Sequence, residues 1–478
     1  MIKTKPFIHL FHTQDNYYIY DVNKNIILNT KENDYELLDS CLKNEGMSEE
    51  EADNVESFIE AMNAKGYLLS NHLSEIIHPA DEILEYYLES KLSMISLQVT
   101  QQCNLRCKYC IYSGIYPNRV HTNQVMSFET AKKAIEFFAE HSREVLIPGI
   151  SFYGGEPLLQ FDLIKRCIEY ALEYLEGKKL IFNLTTNATL LNDDIVSYFE
   201  KHNVYLLISL DGPEGIHDHS RKFISGEGSF KTVIHNLKNI KQKHPNYMQN
   251  ITLNAVLNQN SSFQDINTFF TENEIVKELK LSVQFVRSES SNIITQIKED
   301  FETEFNAEVS KLYSSLMGKS DPKKVSKIVK GSLHELTNLT ENLNPTYRIL
   351  ERGHPSGPCI PGVHRPFIDV HGNIFPCERV NETSSVMKLG DIYHGFEIAK
   401  IRTLLNIGKI SKDHCQTCWA FSFCNLCAAS ADDGDSLSTK KKISNCDNVR
   451  NHSEALLKVY CELKENGVDF DSLETKFN

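Results

Sequence analysis

The eight residues CNLRCKYC place Cys103, Cys107 and Cys110 at Cys-x3-Cys-x2-Cys spacing, with the next cysteine, Cys167, far along the chain. Thiolates so grouped suit a soft metal, yet a structural zinc site or a fully ligated iron–sulfur cluster takes four protein ligands. Two chemistries follow. One is zinc; the other is a [4Fe–4S] cluster held at three corners, its fourth iron open to a substrate. Seven further cysteines lie toward the C-terminus: Cys359, Cys377, Cys415, Cys418, Cys424, Cys427 and Cys446. The stretch CQTCWAFSFCNLC contains two Cys-x2-Cys pairs, a spacing that also suits zinc. Thirteen cysteines without an export signal imply metal or redox chemistry in a reducing, cytoplasmic setting, not a disulfide framework. Of the rest, Cys167 sits on an apolar helix stripe and Cys41 beside Leu42, which are packing positions.

The elements that must position these groups are legible as period and punctuation. From Ser93 onward, MISLQVT, GISFYGG, LIFNLTT, VYLLISL, ITLNAVL and LKLSVQFV read as strands separated by helices. One helix carries apolar residues at 163, 164, 167, 168, 171, 172 and 175. Such alternation predicts an α/β fold with a parallel sheet and helices outside, flat or curled as a partial barrel. Functional groups in that architecture gather at the C-terminal strand ends, and the cysteine run directly follows SLQVT. Ahead of it, FIHLFH, NYYIYDV and NIILN read as short strands, followed by two amphipathic helices. Residues 1–90 hold six lysines, no arginine and eighteen acidic residues, a balance of −12 within a total of −14. That concentration is either a solvated acidic surface or a docking face for a basic partner. The overall acidity gives no reason to expect nucleic acid, and no apolar run is long enough to span a membrane. The expected divisions are 1–90 for an N-terminal module and linker helix, 91–290 for the barrel and 291–354 for a helical bridge. Residues 355–450 then form a cysteine-rich domain, and 451–478 a C-terminal helix.

CNLRCKYC after the first barrel strand resembles the radical S-adenosylmethionine superfamily. The resemblance implies that the amine and carboxylate of S-adenosylmethionine chelate the open iron. Reductive cleavage then releases a 5′-deoxyadenosyl radical that abstracts hydrogen from an unactivated C–H bond, the hard chemistry being the cofactor's. YGGEP, with Gly154, Gly155 and Glu156, resembles the motif that contacts the methionyl amine. LTTNATLL, with Asn187, resembles a TNG motif in which Ala188 stands for glycine. In SLDGPEGIHDHSR, the resemblance gives Ser209 to the ribose and Arg221 to the carboxylate, while Tyr109 lies beside the adenine. Read from the residues alone, Ser209 is a strand-end hydrogen-bonding group, Arg221 a surface ion-pair partner and Asp211 a turn residue.

The C-terminal cysteines resemble the SPASM extension of peptide-modifying radical enzymes, with two residues instead of three inside CNLC. By that resemblance Cys415, Cys418, Cys424 and Cys446 enclose one [4Fe–4S] cluster. Cys359, Cys377 and Cys427 hold another with one iron open to a peptide thiolate, three clusters in all. Glu378 falls where sulfatase-maturing relatives place a catalytic base, and His364 is a candidate non-cysteine ligand. Trp419 is expected to pack among the clusters. The implied architecture is a partial (β/α)6 TIM barrel with an N-terminal winged-helix-like, PqqD-like leader-recognition module and a C-terminal iron–sulfur domain. The implied function is maturation of a ribosomally made peptide, most like the thioether-forming, ranthipeptide-type enzymes. Its partners are a precursor with a leader and Cys-rich core, and a reductant such as flavodoxin or ferredoxin. Carbon–carbon crosslinking and sulfatase-maturase-type oxidation of Ser or Cys are the alternatives within the superfamily, and a zinc-binding interaction protein the alternative outside it.

Overall fold

The computed structural model describes residues 5–43, 47–112, 120–286, 298–343, 351–355 and 359–470. Parts of the expected bridge and of the terminal helix lie outside them.

The N-terminal module is an antiparallel meander of β1 (Ile8–His12), β2 (Tyr17–Asp21) and β3 (Ile26–Thr30), then α1 (Glu32–Lys43) and α2 (Glu49–Ala64). Alternation sorts its strands into two faces. Ile8 and Ile19 pack on Leu38, Cys41, Val55 and Ile59 of the two helices. Phe11, Tyr18 and Tyr20 face the other way, onto Leu339, Leu457 and Cys461. A capping box between Ser48 and Glu51 starts α2. A short β4 (Glu75–Ile76) and α3 (Leu84–Ser90) lead to the main sheet.

That sheet begins with β5 (Met94–Thr100), α4 (Phe128–His141), β6 (Gly149–Gly154), α5 (Phe161–Tyr174), β7 (Ile181–Thr186) and α6 (Asp193–Lys201). It continues through β8 (Val204–Ser209), α7 (Glu214–Ser220), α8 (Phe230–Lys243), β9 (Ile251–Leu257), α9 (Phe263–Glu272) and β10 (Lys280–Phe285). Strands β5 to β10 are parallel and neighbours in sequence order, with helices between them, as a partial TIM barrel requires. Ile95, Leu97 and Val99 join the helix-side core, while Ser96, Gln98 and Thr100 alternate with them and are equally buried. On α5 the buried stripe is Leu163, Ile164, Cys167, Ile168 and Ala171; Leu172, expected on it, is exposed.

Helices α10 (Glu299–Leu316) and α11 (Gly331–Asn342) follow, then β11 (Arg352–Gly353), which pairs with β4. The remaining strands are β12 (Phe367–Ile368), β13 (Asn373–Phe375), β14 (Gly390–Asp391) and β15 (Gly395–Phe396). Strand β12 pairs parallel to β5, Phe367 opposite Ser96, so the C-terminal region extends the barrel sheet at its first edge. The chain closes with α12 (Ile398–Leu405), α13 (Lys412–Gln416), α14 (Thr439–Ile443) and α15 (Cys446–Glu465). Because α15 starts at Cys446, the division expected at 450/451 falls inside a helix.

Candidate active site and cysteine groups

The first cysteine run leaves β5 at Thr100 and is clamped by the end of β6. Gly155 N donates to Thr100 O at 2.9 Å and Glu156 N to Gln102 O at 2.7 Å. A Cβ on Gly154 would stand 2.0 Å from Thr100 O, and one on Gly155 2.0 Å from Gln102 O. Only glycine lets these backbones touch, and Gly154 also has φ of +140°. The close approach is therefore to the chain that leads into Cys103. Glu156 is buried, and its carboxylate accepts from Thr186 Oγ1 (2.7 Å), Asn187 N (2.7 Å) and Leu158 N (3.0 Å). Burial pushes its carboxyl up to about 7 against those three donors. Glu156 thus staples β6 to β7. Asn187 donates to Asn104 Oδ1 at 2.9 Å, its Nδ2 lying 3.9 Å from Cys103 Sγ. Ala188 is buried at φ +59°, a left-handed conformation that costs an L-residue roughly 1–2 kcal/mol.

From β8 come Ser209, paired opposite Asn254, and then Asp211. Asp211 is buried and does more than turn the chain: Oδ2 accepts from Arg221 Nε at 2.9 Å and from the Tyr109 hydroxyl, and Oδ1 from Val256 N at 3.1 Å. Arg221 is accordingly a buried ion-pair partner and not a surface one, its guanidinium 5.3 Å from the Tyr109 ring centroid. Burial raises the Tyr109 phenol well above its usual range. It also lifts Cys103 to about 12 and Cys107 to about 11, the neighbouring thiols adding to both shifts and Arg221 opposing that of Cys107. The N–H groups of Leu105 and Tyr112 point at Cys103 and Cys110 Sγ, each at 3.4 Å. Cys107 is buried and Cys103 and Cys110 half-buried; thiols grouped in this way ionise when a metal takes their charge, so the donor set fits a cluster.

The C-terminal cysteines fall into two groups. Cys415, Cys418, Cys424 and Cys446 line one cavity together with His414, Phe421, Lys442 and Arg450. Cys359, Cys377 and Cys427 form the other, where Cys427 raises the thiols of both Cys359 and Cys377 after burial has done most of the work. CNLC is split between them, Cys424 to one and Cys427 to the other, and its short spacing does not prevent this. Among the described residues no three Cys, His, Asp or Glu side chains converge on a point that would hold one metal ion.

The sequence profile of the radical SAM superfamily matches residues 97–269, the span that carries the first cysteine run and four of the strand ends above. The barrel is a radical SAM domain. Domains of this family bind S-adenosylmethionine and a [4Fe–4S] cluster. The chain is similar to the radical SAM cyclopropyl synthase TigE of Paramaledivibacter caminithermalis, 28% identical over 45% of this chain and 47% of that protein. It is also similar to a cysteine-type anaerobic sulfatase-maturating enzyme of Clostridium novyi, 30% identical over 36% of this chain and 45% of that one. It thus spans less than half the length of these curated relatives. Among solved structures, anSMEcpe with bound AdoMet superposes with a TM-score of 0.57 at 19% identity, covering 77% of this chain and 99% of that one. The same protein with AdoMet and the Cp18Cys peptide gives 0.56 at 18%, over 77% and 99%. These likenesses establish a shared fold.

Around the radical SAM domain, two carboxylates border the cysteine groups. Glu378 accepts from Arg365 Nη2 at 2.6 Å, with Arg379 3.8 Å away, so its charge is already engaged. Glu382, which no motif singles out, accepts from Gln98 Nε2 at 3.1 Å and from Tyr112 OH at 3.1 Å, beside the radical SAM cysteine loop. His364 is exposed. Trp419 stacks on His9 of the N-terminal module with centroids 3.6 Å apart and packs against the cluster that includes Tyr20, Leu457 and Cys461.

Proposed function

We propose that the protein is a radical S-adenosylmethionine maturase of a ribosomally made peptide, joining a cysteine thiol to a carbon of an acceptor residue. The observation that carries this reading is the sorting of ten cysteines into three groups, one at the strand ends of the radical SAM domain and two in the sheet-linked extension. Cys103, Cys107 and Cys110 hold the active cluster; Cys359, Cys377 and Cys427 hold one auxiliary cluster, and Cys415, Cys418, Cys424 and Cys446 the other. With a reductant such as flavodoxin or ferredoxin, the bound cluster and S-adenosylmethionine supply a radical able to take a hydrogen atom from carbon. The chain's part is to position. Gly154, Gly155 and Glu156 fix the cysteine loop against Asn187, and Tyr109, Ser209 and Arg221 border the space at the strand ends where the cosubstrate lies. The auxiliary group with three cysteines leaves a ligand position for the peptide thiol, and Glu378 or Glu382 takes the substrate proton.

Residues 1–90 receive the leader as an added strand along β3, since β1 is the edge turned toward α15 through His9 and Glu454. Their −12 balance selects a basic leader whose affinity falls with salt. The thiol-rich chain works in the cytoplasm; among the described residues no helix is long and apolar enough to cross a membrane. The likeness to a cyclopropyl synthase favours carbon–carbon bond formation as the second reading. Mass spectrometry after thiol alkylation separates the two. A thioether leaves the product two hydrogens lighter with one fewer alkylatable cysteine per crosslink. The same mass loss with an unchanged cysteine count gives the carbon–carbon reading.

A further inference from the structure

The cavity of Cys415, Cys418, Cys424 and Cys446 holds a charge that the sequence does not single out. Lys442 is the last of three consecutive lysines on α14; Lys440 and Lys441 are exposed, whereas Lys442 is 1% exposed. Its Nζ donates to Ser411 Oγ at 2.9 Å, lies 3.8 Å from Cys415 Sγ, and lines the same cavity as the four cysteines. Among the described residues no carboxylate forms an ion pair with it. Taking an ammonium out of water without a counter-charge costs several kcal/mol. Of the side chains that line this cavity, only the cysteine sulfurs, once a metal takes their protons, can supply a negative charge to offset that cost. Arg450 also lines it and hydrogen-bonds Cys418, but Arg450 is partly exposed and is shared with Asp447 at 2.5 Å, which leaves Lys442 the buried cation of this cavity without a carboxylate partner among the described residues.

We propose that Lys442 is a positioning residue that sets the reduction potential of the auxiliary cluster held by Cys415, Cys418, Cys424 and Cys446. The inference rests on the cluster assignment proposed above. Reduction adds one electron and one negative charge to a site already carrying four thiolates. A buried ammonium, with a hydrogen bond directed at one of the sulfurs, stabilises the reduced form more than the oxidised one and raises the potential. The cluster is thereby suited to accept an electron.

The test uses the full chain carrying Cys103→Ala, Cys107→Ala and Cys110→Ala, so that only auxiliary clusters remain after anaerobic reconstitution. Iron is counted, and the clusters are titrated with dithionite while their electron paramagnetic resonance signals are followed. Lys442→Met and Lys442→Gln are expected to move one midpoint to more negative potential at unchanged iron content, and Lys442→Arg to restore it. An unchanged midpoint at full iron content in either neutral variant overturns the proposal. Should both neutral variants lose iron, retention by Lys442→Arg sustains the role of the charge; loss in that variant too makes Lys442 a packing residue and overturns it. Zinc in place of iron in the parent would instead remove the cluster assignment itself.

Discussion

Asp211 accepts three hydrogen bonds from three separate parts of the chain, Tyr109, Arg221 and Val256, and its pair with Arg221 is buried on both sides. Removing one charge from such a pair leaves the other uncompensated, at a cost of about 3–5 kcal/mol. Asp211→Asn is expected to lose stability of that order in urea denaturation and to weaken S-adenosylmethionine binding. The sequence could not show this. Asp-Gly-Pro is a turn signal, and the partners of Asp211 stand 102 residues before it and 10 and 45 residues further on, beyond any local pattern. The glycines were legible, because a motif with two successive glycines at a strand end implies a contact that a side chain would block. Their contact with the backbone of Thr100 and Gln102 leaves no local trace in the sequence. Gly155→Ala is therefore expected to displace the cysteine loop. Iron analysis should show loss of the active-site share, about four atoms, with the auxiliary share retained.

The N-terminal sheet shows why elements were easier to read than their partners. Runs of strand-forming residues announce three strands and the helical period two helices, and the structure has them. That the second strand face packs on α11 and α15 depends on residues more than three hundred positions away. The seam is marked by His9, which stacks on Trp419 and pairs with Glu454 at 3.2 Å. Burial lowers its pKa to about 4, although Glu454 pulls the other way. A histidine depressed in the folded state contributes stability that is whole above its unfolded pKa, about 6.5, and is lost as pH falls from there toward about 4. Acidification across that window should loosen the module. Because Trp419 is the sole tryptophan, its emission reports the seam directly. The pH dependence of the urea midpoint should be smaller in His9→Gln than in the parent.

At the scale of the molecule, strand β12 joins the extension to β5, so the sheet that carries Cys103, Cys107 and Cys110 at its strand ends also anchors the cysteine-rich region. The sequence marked that region by composition and by the break near Pro355, but a two-residue strand leaves no periodic trace. Likewise Cys446 was legible as a candidate ligand, while its place at the start of a twenty-residue helix was not. The central claim is that the three cysteines after β5 hold the cluster that cleaves S-adenosylmethionine. Anaerobically reconstituted protein, given a low-potential reductant and S-adenosylmethionine, should form 5′-deoxyadenosine. The Cys103→Ala, Cys107→Ala, Cys110→Ala variant should form none while keeping its auxiliary iron. Continued 5′-deoxyadenosine formation by that variant would contradict the account.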